Sequence, residues 1–217
     1  MKYVLGAISA LVVVLAFYFS CLWLDKKLEL GIQRKKSLIT EKSVWLIAVL
    51  DIVTVIYIAA FQRQGFKSCF YIATIVMIIG MSVLSVTDIK KCIIPNKVLA
   101  VWFMIWILIV GIQMIFNIET GVAILFISLA GAVIGGIIFL LCYILSKGQM
   151  GAGDVKLVFV LGLYMTGQRI MGAVLYGALL CCAYSIIQML RKKISIRDAV
   201  PMAPFIYMGM CITLFIL

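Results

Sequence analysis

Residues 69–87 read CFYIATIVMIIGMSVLSVT and are followed at once by the charged stretch Asp88-Ile89-Lys90-Lys91. The run contains no charged residue. Its length is close to the roughly 20 apolar residues that an α-helix needs to cross the hydrocarbon core of a bilayer. The run therefore predicts a membrane-spanning helix that ends where the charges begin.

Runs of the same kind recur along the whole chain of 217 residues, which is 66% hydrophobic and 12% charged. A mean hydropathy of +1.25 lies far outside the range of a soluble globular domain. Candidate spans cover residues 3–24, 44–60, 69–87, 98–116, 120–145, 154–166, 170–190 and 201–217. We therefore expect an all-α fold, a polytopic membrane helical bundle of about eight transmembrane helices. Residues 1–217 are expected to form a single membrane-embedded domain.

The basic residues predict an orientation for these spans. With the N-terminus outside, only Lys2, Arg63, Lys67 and Arg169 of the 19 Lys and Arg residues lie on the outer side. Cytoplasmic loops of membrane proteins hold the excess of Lys and Arg, so this asymmetry favours that orientation. It also explains the net charge of +11 without a nucleic-acid partner, because the charges fall in short loops beside apolar spans.

The fifth run carries small residues at Ala130, Gly131, Gly135 and Gly136. A face of this kind lets a neighbouring helix approach closely and predicts a helix contact. The run is also long enough to tilt or to bend near its glycine pair.

Residue types that are missing exclude several kinds of chemistry. The chain has no histidine, and its seven cysteines show no CxxC spacing. A zinc site is therefore not expected, and His-based acid–base catalysis and Ser-His or Cys-His triads are excluded.

Three of the acidic residues have no simple solvated interpretation, namely Asp51, Asp88 and Asp154. Asp88 follows the third span and Asp154 precedes the sixth, so the orientation above puts both at the cytoplasmic side. Two carboxylates that meet share a proton, so that one acts as base and the other as acid. Which aspartate takes which part stays open. The simpler alternatives are a boundary aspartate at position 88 and a helix N-cap at position 154.

Asp51 lies inside the second span, where an ionisable residue is costly and usually functional. We expect a neutral carboxyl that is hydrogen-bonded to another helix. The alternative is an additional residue of the site.

Two motifs give these aspartates a context. Asp88 is followed by Ile94-Pro95-Asn96, and Asp154 lies within Gly151-Ala152-Gly153-Asp154-Val155-Lys156-Leu157. Both motifs, in this order, resemble those of the type IV prepilin peptidases, which are intramembrane aspartyl proteases of the GxGD type. The resemblance implies a catalytic pair, Asp88 and Asp154, and needs neither a metal nor another cofactor. It implies supporting motif residues at Pro95, Asn96, Gly151, Gly153 and Lys156.

The resemblance also implies a function. Such an enzyme removes the basic leader peptide from type IV prepilins or pseudopilins at the cytoplasmic face of a bacterial or archaeal membrane. Longer members carry an extra cytoplasmic domain with paired CxxC motifs that methylates the product, so we expect a short, peptidase-only form without a separate zinc or methyltransferase domain. The expected partners are the prepilin substrate and the lipid bilayer. Self-association into a homo-oligomer stays open.

Two other functions compete with proteolysis. A small ion- or proton-coupled transporter would use Asp51, Asp88 and Asp154 as a path across the membrane. A non-catalytic membrane assembly subunit would explain the small-residue face and the basic loops, and would leave the two motifs as coincidence.

The stretch Pro201-Met202-Ala203-Pro204 opens the last span and is similar to the Pro-Ala-Leu element of presenilins. The match is poor, because presenilins place a Tyr-Asp motif within a span where this chain has Thr87-Asp88. We interpret the two prolines as the start of a helix.

Overall fold

The computed structural model describes residues 2–27, 42–61, 68–146, 150–192 and 200–216. Within these ranges the fold is entirely helical, without a strand. In chain order the helices are α1 (Lys2–Lys27), α2 (Lys42–Phe61), α3 (Ser68–Lys91), α4 (Asn96–Phe116), α5 (Ile118–Leu145), α6 (Ala152–Met165), α7 (Gly167–Leu190) and α8 (Ala203–Ile216). One helix corresponds to each predicted span, which confirms the all-α prediction.

Among the described helices, 5 are long and apolar enough to cross a membrane. These spans are Gly6–Leu24, Phe70–Lys91, Asn96–Phe116, Ile118–Leu145 and Gly167–Leu190. Helices α2 and α8 carry shorter apolar stretches. Helix α6 has 14 residues and reaches only about 21 Å at 1.5 Å per residue, less than the roughly 30 Å of the hydrocarbon core. The chain is a multi-pass membrane protein in which α6 is a short helix.

Glycines bring α5 and α6 into close contact. A Cβ added to Gly131 would lie 2.5 Å from the backbone oxygen of Gly162, and one added to Gly162 would lie 2.5 Å from that of Gly131. Since only glycine allows two backbones to approach so closely, the predicted helix contact of the small-residue face is confirmed, and its partner is α6. Helix α5 runs on as one α-helix from Ile118 to Leu145.

Helix α8 lies in the interior of the bundle, in contact with α2, α3 and α7. Its side chains Ala203, Ile206, Tyr207 and Met210 are fully buried or nearly so. Gly209 lies against Ala173 and Gly177 of α7, and added Cβ atoms would not fit there. This tight packing brings the first turn of α8 to the end of α3, where Asp88 lies.

Candidate active site

Asp88 lies in the last turn of α3 and is 4% exposed. The backbone N–H of Ala203, the first residue of α8, donates a hydrogen bond of 2.8 Å to its Oδ2. The N–H of Met202 donates to the same carboxyl group. The first N–H groups of a helix have no partner within the helix and form its positive end, so they suit an anion. Asp88 therefore lies where the end of one helix meets the start of another.

The contact gives the stretch Pro201-Met202-Ala203-Pro204 a place in the site. Its prolines predict a helix start, and α8 does begin at Ala203 with Pro204 as its second residue. The sequence reasoning did not assign this stretch to the site. A signal was nevertheless present, because a proline-marked helix start exposes the N–H groups that bind carboxylates.

Asp154 lies in the first turn of α6, whose N-cap residue is Gly151. The N-cap interpretation of Asp154 is therefore wrong, because Asp154 is the third residue of the helix. Its N–H donates to the Gly151 carbonyl at 3.1 Å, and its carboxyl group accepts from the Gly151 N–H. A side chain that reaches back from the third helical position to the N-cap N–H is half of a capping box. Asp154 is thus oriented by its own helix.

The two carboxylates interact electrostatically. Burial, followed by the negative charge of Asp88, raises the pKa of Asp154 to about 6, while the hydrogen bond from the Gly151 N–H lowers it. The thiol of Cys92, just beyond α3, responds to both acids: burial raises its pKa, as do the charges of Asp88 and Asp154. Asp88 of α3 therefore lies close enough to Asp154 of α6 for its charge to disfavour ionisation of Asp154.

Each of the two glycines of the second motif avoids a different steric clash. A Cβ on Gly151 would lie 3.3 Å from Oδ2 of Asp154 and would crowd the carboxylate. A Cβ on Gly153 would lie 3.1 Å from the Cβ of Ile94, in the connection between α3 and α4. One glycine therefore leaves space for the acid, and the other lets the two motifs touch.

The motifs are also joined by a polar contact. Lys156 Nζ donates to Oδ1 of Asn96 at 3.2 Å, and Pro95 is the N-cap residue of α4 beside it. The structure thus brings Asp88, Asp154 and the supporting residues of both motifs to one end of the bundle. Their catalytic role stays a prediction.

Asp51 lies in the interior of the bundle, between α2 and α8. It is fully buried in α2, and the Tyr207 hydroxyl of α8 donates a hydrogen bond to its Oδ1. This is the expected arrangement, a carboxyl group that is hydrogen-bonded to another helix. Ser82 of α3 lies beside it, with its hydroxyl donating to the Ile79 carbonyl at 3.0 Å. Among the described residues, Oδ2 of Asp51 has no hydrogen-bond partner.

No group of three or more His, Cys, Asp or Glu side chains is placed to hold a metal ion within the described ranges.

The fold and the two acids define a class, a multi-pass membrane protein in which carboxylates from two helices lie at the same end of the bundle. The comparison with protein families then identifies the chain as a member of the type IV leader peptidase family, whose model matches residues 75–186. This range holds Asp88, Asp154 and both motifs. It stops before α8 and does not include Asp51. The resemblance found in the sequence is confirmed, and the family favours proteolysis over transport.

A curated relative agrees with this assignment. The chain is 26% identical over 135 residues to the prepilin leader peptidase/N-methyltransferase of Bacillus subtilis (strain 168). The match covers 62% of this chain and 52% of the relative, so the chain spans about half the length of that protein. No solved structure matches the chain.

Proposed function

We propose that this protein is an aspartyl endopeptidase that removes the basic leader peptide from type IV prepilins or pseudopilins, with Asp88 and Asp154 as its catalytic pair. The observation that carries the proposal is the contact between the two motifs, where Gly153 lies against Ile94 and Lys156 donates to Asn96, in a member of a leader peptidase family. The name of the relative supports the substrate class.

The geometry suits a shared-proton mechanism. Because the charge of Asp88 disfavours ionisation of Asp154, one of the pair is ionised while the other holds a proton. The ionised carboxylate takes a proton from water as the water oxygen attacks the scissile carbonyl carbon. The protonated carboxyl group donates its proton to the carbonyl oxygen. The C–N bond then breaks as the carboxyl group that took the proton from water donates it to the leaving nitrogen. The former carbonyl oxygen returns its proton to the other carboxylate, which restores the pair.

The substrate class fits the position of the pair. A prepilin has a short basic leader in water and a long apolar helix in the membrane, so its cleavage point lies at the membrane surface. Asp88 follows the third span and Asp154 lies in the first turn of the short α6. The excess of Lys and Arg supports the cytoplasmic face for this end.

The proposal is tested by co-expression with a candidate prepilin and a gel that resolves leader removal. Asp88→Asn and Asp154→Asn keep the size of each side chain and remove the titrating group. Each is expected to lower the cleavage rate by about 10³-fold or more. Glu119→Gln is the matched control, since Glu119 is an exposed acid in the first turn of α5. Cleavage at the wild-type rate by either Asn variant would exclude the pair.

The cytoplasmic location has a separate test. Cys92 is exposed and lies between α3 and α4, close to both aspartates. In a variant that keeps only this cysteine, a charged maleimide that cannot cross membranes should label inverted vesicles and spare right-side-out vesicles. Labelling of the right-side-out vesicles alone would place the site on the outer face.

The proposal covers peptide cleavage without methylation, because these 217 residues contain no CxxC pair. Mass spectrometry of the processed pilin in a host without another such enzyme is expected to show an unmodified N-terminal amine. A methylated amine would contradict this part of the proposal and leave the cleavage chemistry unaffected.

A further inference from the structure

Helix α8 touches two buried acids. Its first residue, Ala203, donates its N–H to Asp88 of α3, and Tyr207 donates its hydroxyl to Asp51 of α2. Ala203 and Tyr207 are one helical turn apart and therefore lie on the same face of the helix. A single rigid turn of α8 thus links Asp51 to Asp88.

The contact of Asp51 with Tyr207 differs in kind from the packing around it. The opposite side of α8 lies against α7 at Gly177 and Gly209, where close van der Waals contact sets the distance between the helices. This contact sets how closely α8 approaches α7. A hydrogen bond between two buried side chains is directional and fixes both.

The surroundings of Asp51 make this contact hard to replace. Asp51 is 0% exposed and Tyr207 is 1% exposed. The Cys211 thiol, one turn further along α8, lies within hydrogen-bonding reach of Tyr207 and of Thr54 in α2. Because both side chains are buried, loss of either would leave the other with a polar group away from bulk solvent.

We propose that Asp51 and Tyr207 form a positioning pair that fixes the rotation and height of α8, so that its first N–H groups meet Asp88. This inference rests on the proposed function, because it gives the pair a part in aligning a catalytic carboxylate. Asp51 is then a positioning residue and does not touch the substrate.

The chain offers a matched control. Tyr57 of α2 donates its hydroxyl to the Phe215 carbonyl of α8 at 2.9 Å, near the other end of that helix. Tyr57→Phe and Tyr207→Phe each remove one hydrogen bond that a tyrosine hydroxyl donates between α2 and α8. Only Tyr207 lies one turn from the N–H that holds Asp88.

The first measurement is hydrogen–deuterium exchange of the purified protein in detergent, followed by mass spectrometry of peptides over residues 200–208. Tyr207→Phe is expected to speed exchange in the first turn of α8 by about tenfold, and Tyr57→Phe should leave it unchanged. Equal exchange in Tyr207→Phe and wild type would overturn the inference. This readout needs no substrate, so it decides the positioning pair even if the protein cleaves no prepilin.

The second measurement is the kinetics of prepilin cleavage. Tyr207→Phe should lower kcat about tenfold with KM unchanged, because only the alignment of the reacting group is lost. Asp51→Leu should do the same, whereas Asp51→Asn keeps an oxygen acceptor and should retain most of the rate. The double variant Asp51→Leu with Tyr207→Phe should be no slower than either single variant. A purely structural bond would give Tyr57→Phe the same loss as Tyr207→Phe, and that result would contradict the proposal.

Discussion

Asp88 and Asp154 lie at the same end of the bundle, yet their carboxyl groups are held in opposite ways. Asp154 is bound by the N-terminus of its own helix, through the N–H of Gly151. Asp88 lies at the end of its helix and is bound by the N-terminus of α8, 115 residues further along the chain. The orientation of one acid is thus a local property, and that of the other depends on the assembly of the bundle. Changes at the two positions should therefore have different consequences.

The largest expected difference is in stability. Asp88→Ala removes the acceptor of a buried N–H group, which should cost about 1–3 kcal/mol, or roughly five- to 150-fold in the folding equilibrium. The melting temperature in detergent should fall by several degrees. Asp154→Ala frees the N–H of Gly151, an exposed residue that water can reach, and should leave the melting temperature nearly unchanged.

Asp88→Asn separates this effect from the loss of the acid, because it keeps an acceptor oxygen and should melt like the wild type. Equal melting temperatures for Asp88→Ala and Asp154→Ala would show that α8 does not depend on its contact with Asp88.

The second prediction compares the two glycines of the GxGD motif. Gly151→Ala crowds Oδ2 of Asp154 and should lower kcat by about tenfold with an unchanged melting temperature, since only the acid must move. Gly153→Ala presses on Ile94 and should instead lower the melting temperature, because the contact joins two parts of the bundle. Circular dichroism melts and cleavage kinetics measure both. A lower melting temperature for Gly151→Ala, with lower kcat alone for Gly153→Ala, would contradict the idea that Asp154 is held locally and that Gly153 joins two parts of the bundle.

The third prediction concerns pH. Because the pKa of Asp154 is raised to about 6, kcat/KM should change by about tenfold between pH 5 and pH 7. A fall towards acid would identify Asp154 as the base, and a fall towards alkali would identify it as the acid. A flat profile over this range would show that Asp154 does not titrate in the reaction.

Unfolding would imitate only a fall towards alkali. A carboxyl group whose pKa is raised from 3.8 to about 6 stabilises the fold fully below 3.8, and this stabilisation is lost as the pH rises through about 6. Asp154 therefore does not favour unfolding at pH 5. Melting temperatures at pH 5, 6 and 7 provide the control.

The smallest expected effect is on the reactivity of Cys92. Both aspartates raise the pKa of its thiol, Asp88 more than Asp154, so replacing either by Asn should increase the thiolate fraction at pH 8. In the variant that keeps only Cys92, alkylation should be about two- to threefold faster in Asp88→Asn and slightly less so in Asp154→Asn. Glu119→Gln should leave the rate unchanged. A larger effect of Asp154→Asn would reverse the order of the two charges around the thiol.

The same division explains what the sequence could predict. The spans are encoded in continuous apolar runs, so the positions of the helices follow from composition and length. The contacts that hold Asp154 are also local, and the motif from Gly151 to Asp154 correctly predicted a helix start. The N-cap residue is Gly151 and not Asp154. The small residues of α5 predicted a close helix contact and left its partner, α6, unspecified.

The contacts made by α8 could not be predicted in this way. Its hydrogen bond to Asp88 uses backbone N–H groups, which every residue except proline carries, so the prolines mark the helix start but do not indicate which carboxylate it binds. Tyr207 and Asp51 are 156 residues apart, and either could pair with several other groups. The expectation that Asp51 is bonded to another helix was confirmed, but only the folded bundle identifies the helix.

The bond between Asp88 and Ala203 also imposes an order on biosynthesis. A ribosome adds about 5–20 residues per second, so Asp88 is made about 6–23 seconds before the N–H group that holds it. Asp154 and its motif are made part-way through this interval, and from then on the nascent chain contains both aspartates while Asp88 still lacks the N–H group of α8. Under the proposed function, proteolytic competence should therefore appear only when α8 has inserted, which would keep the incomplete chain inactive inside the membrane.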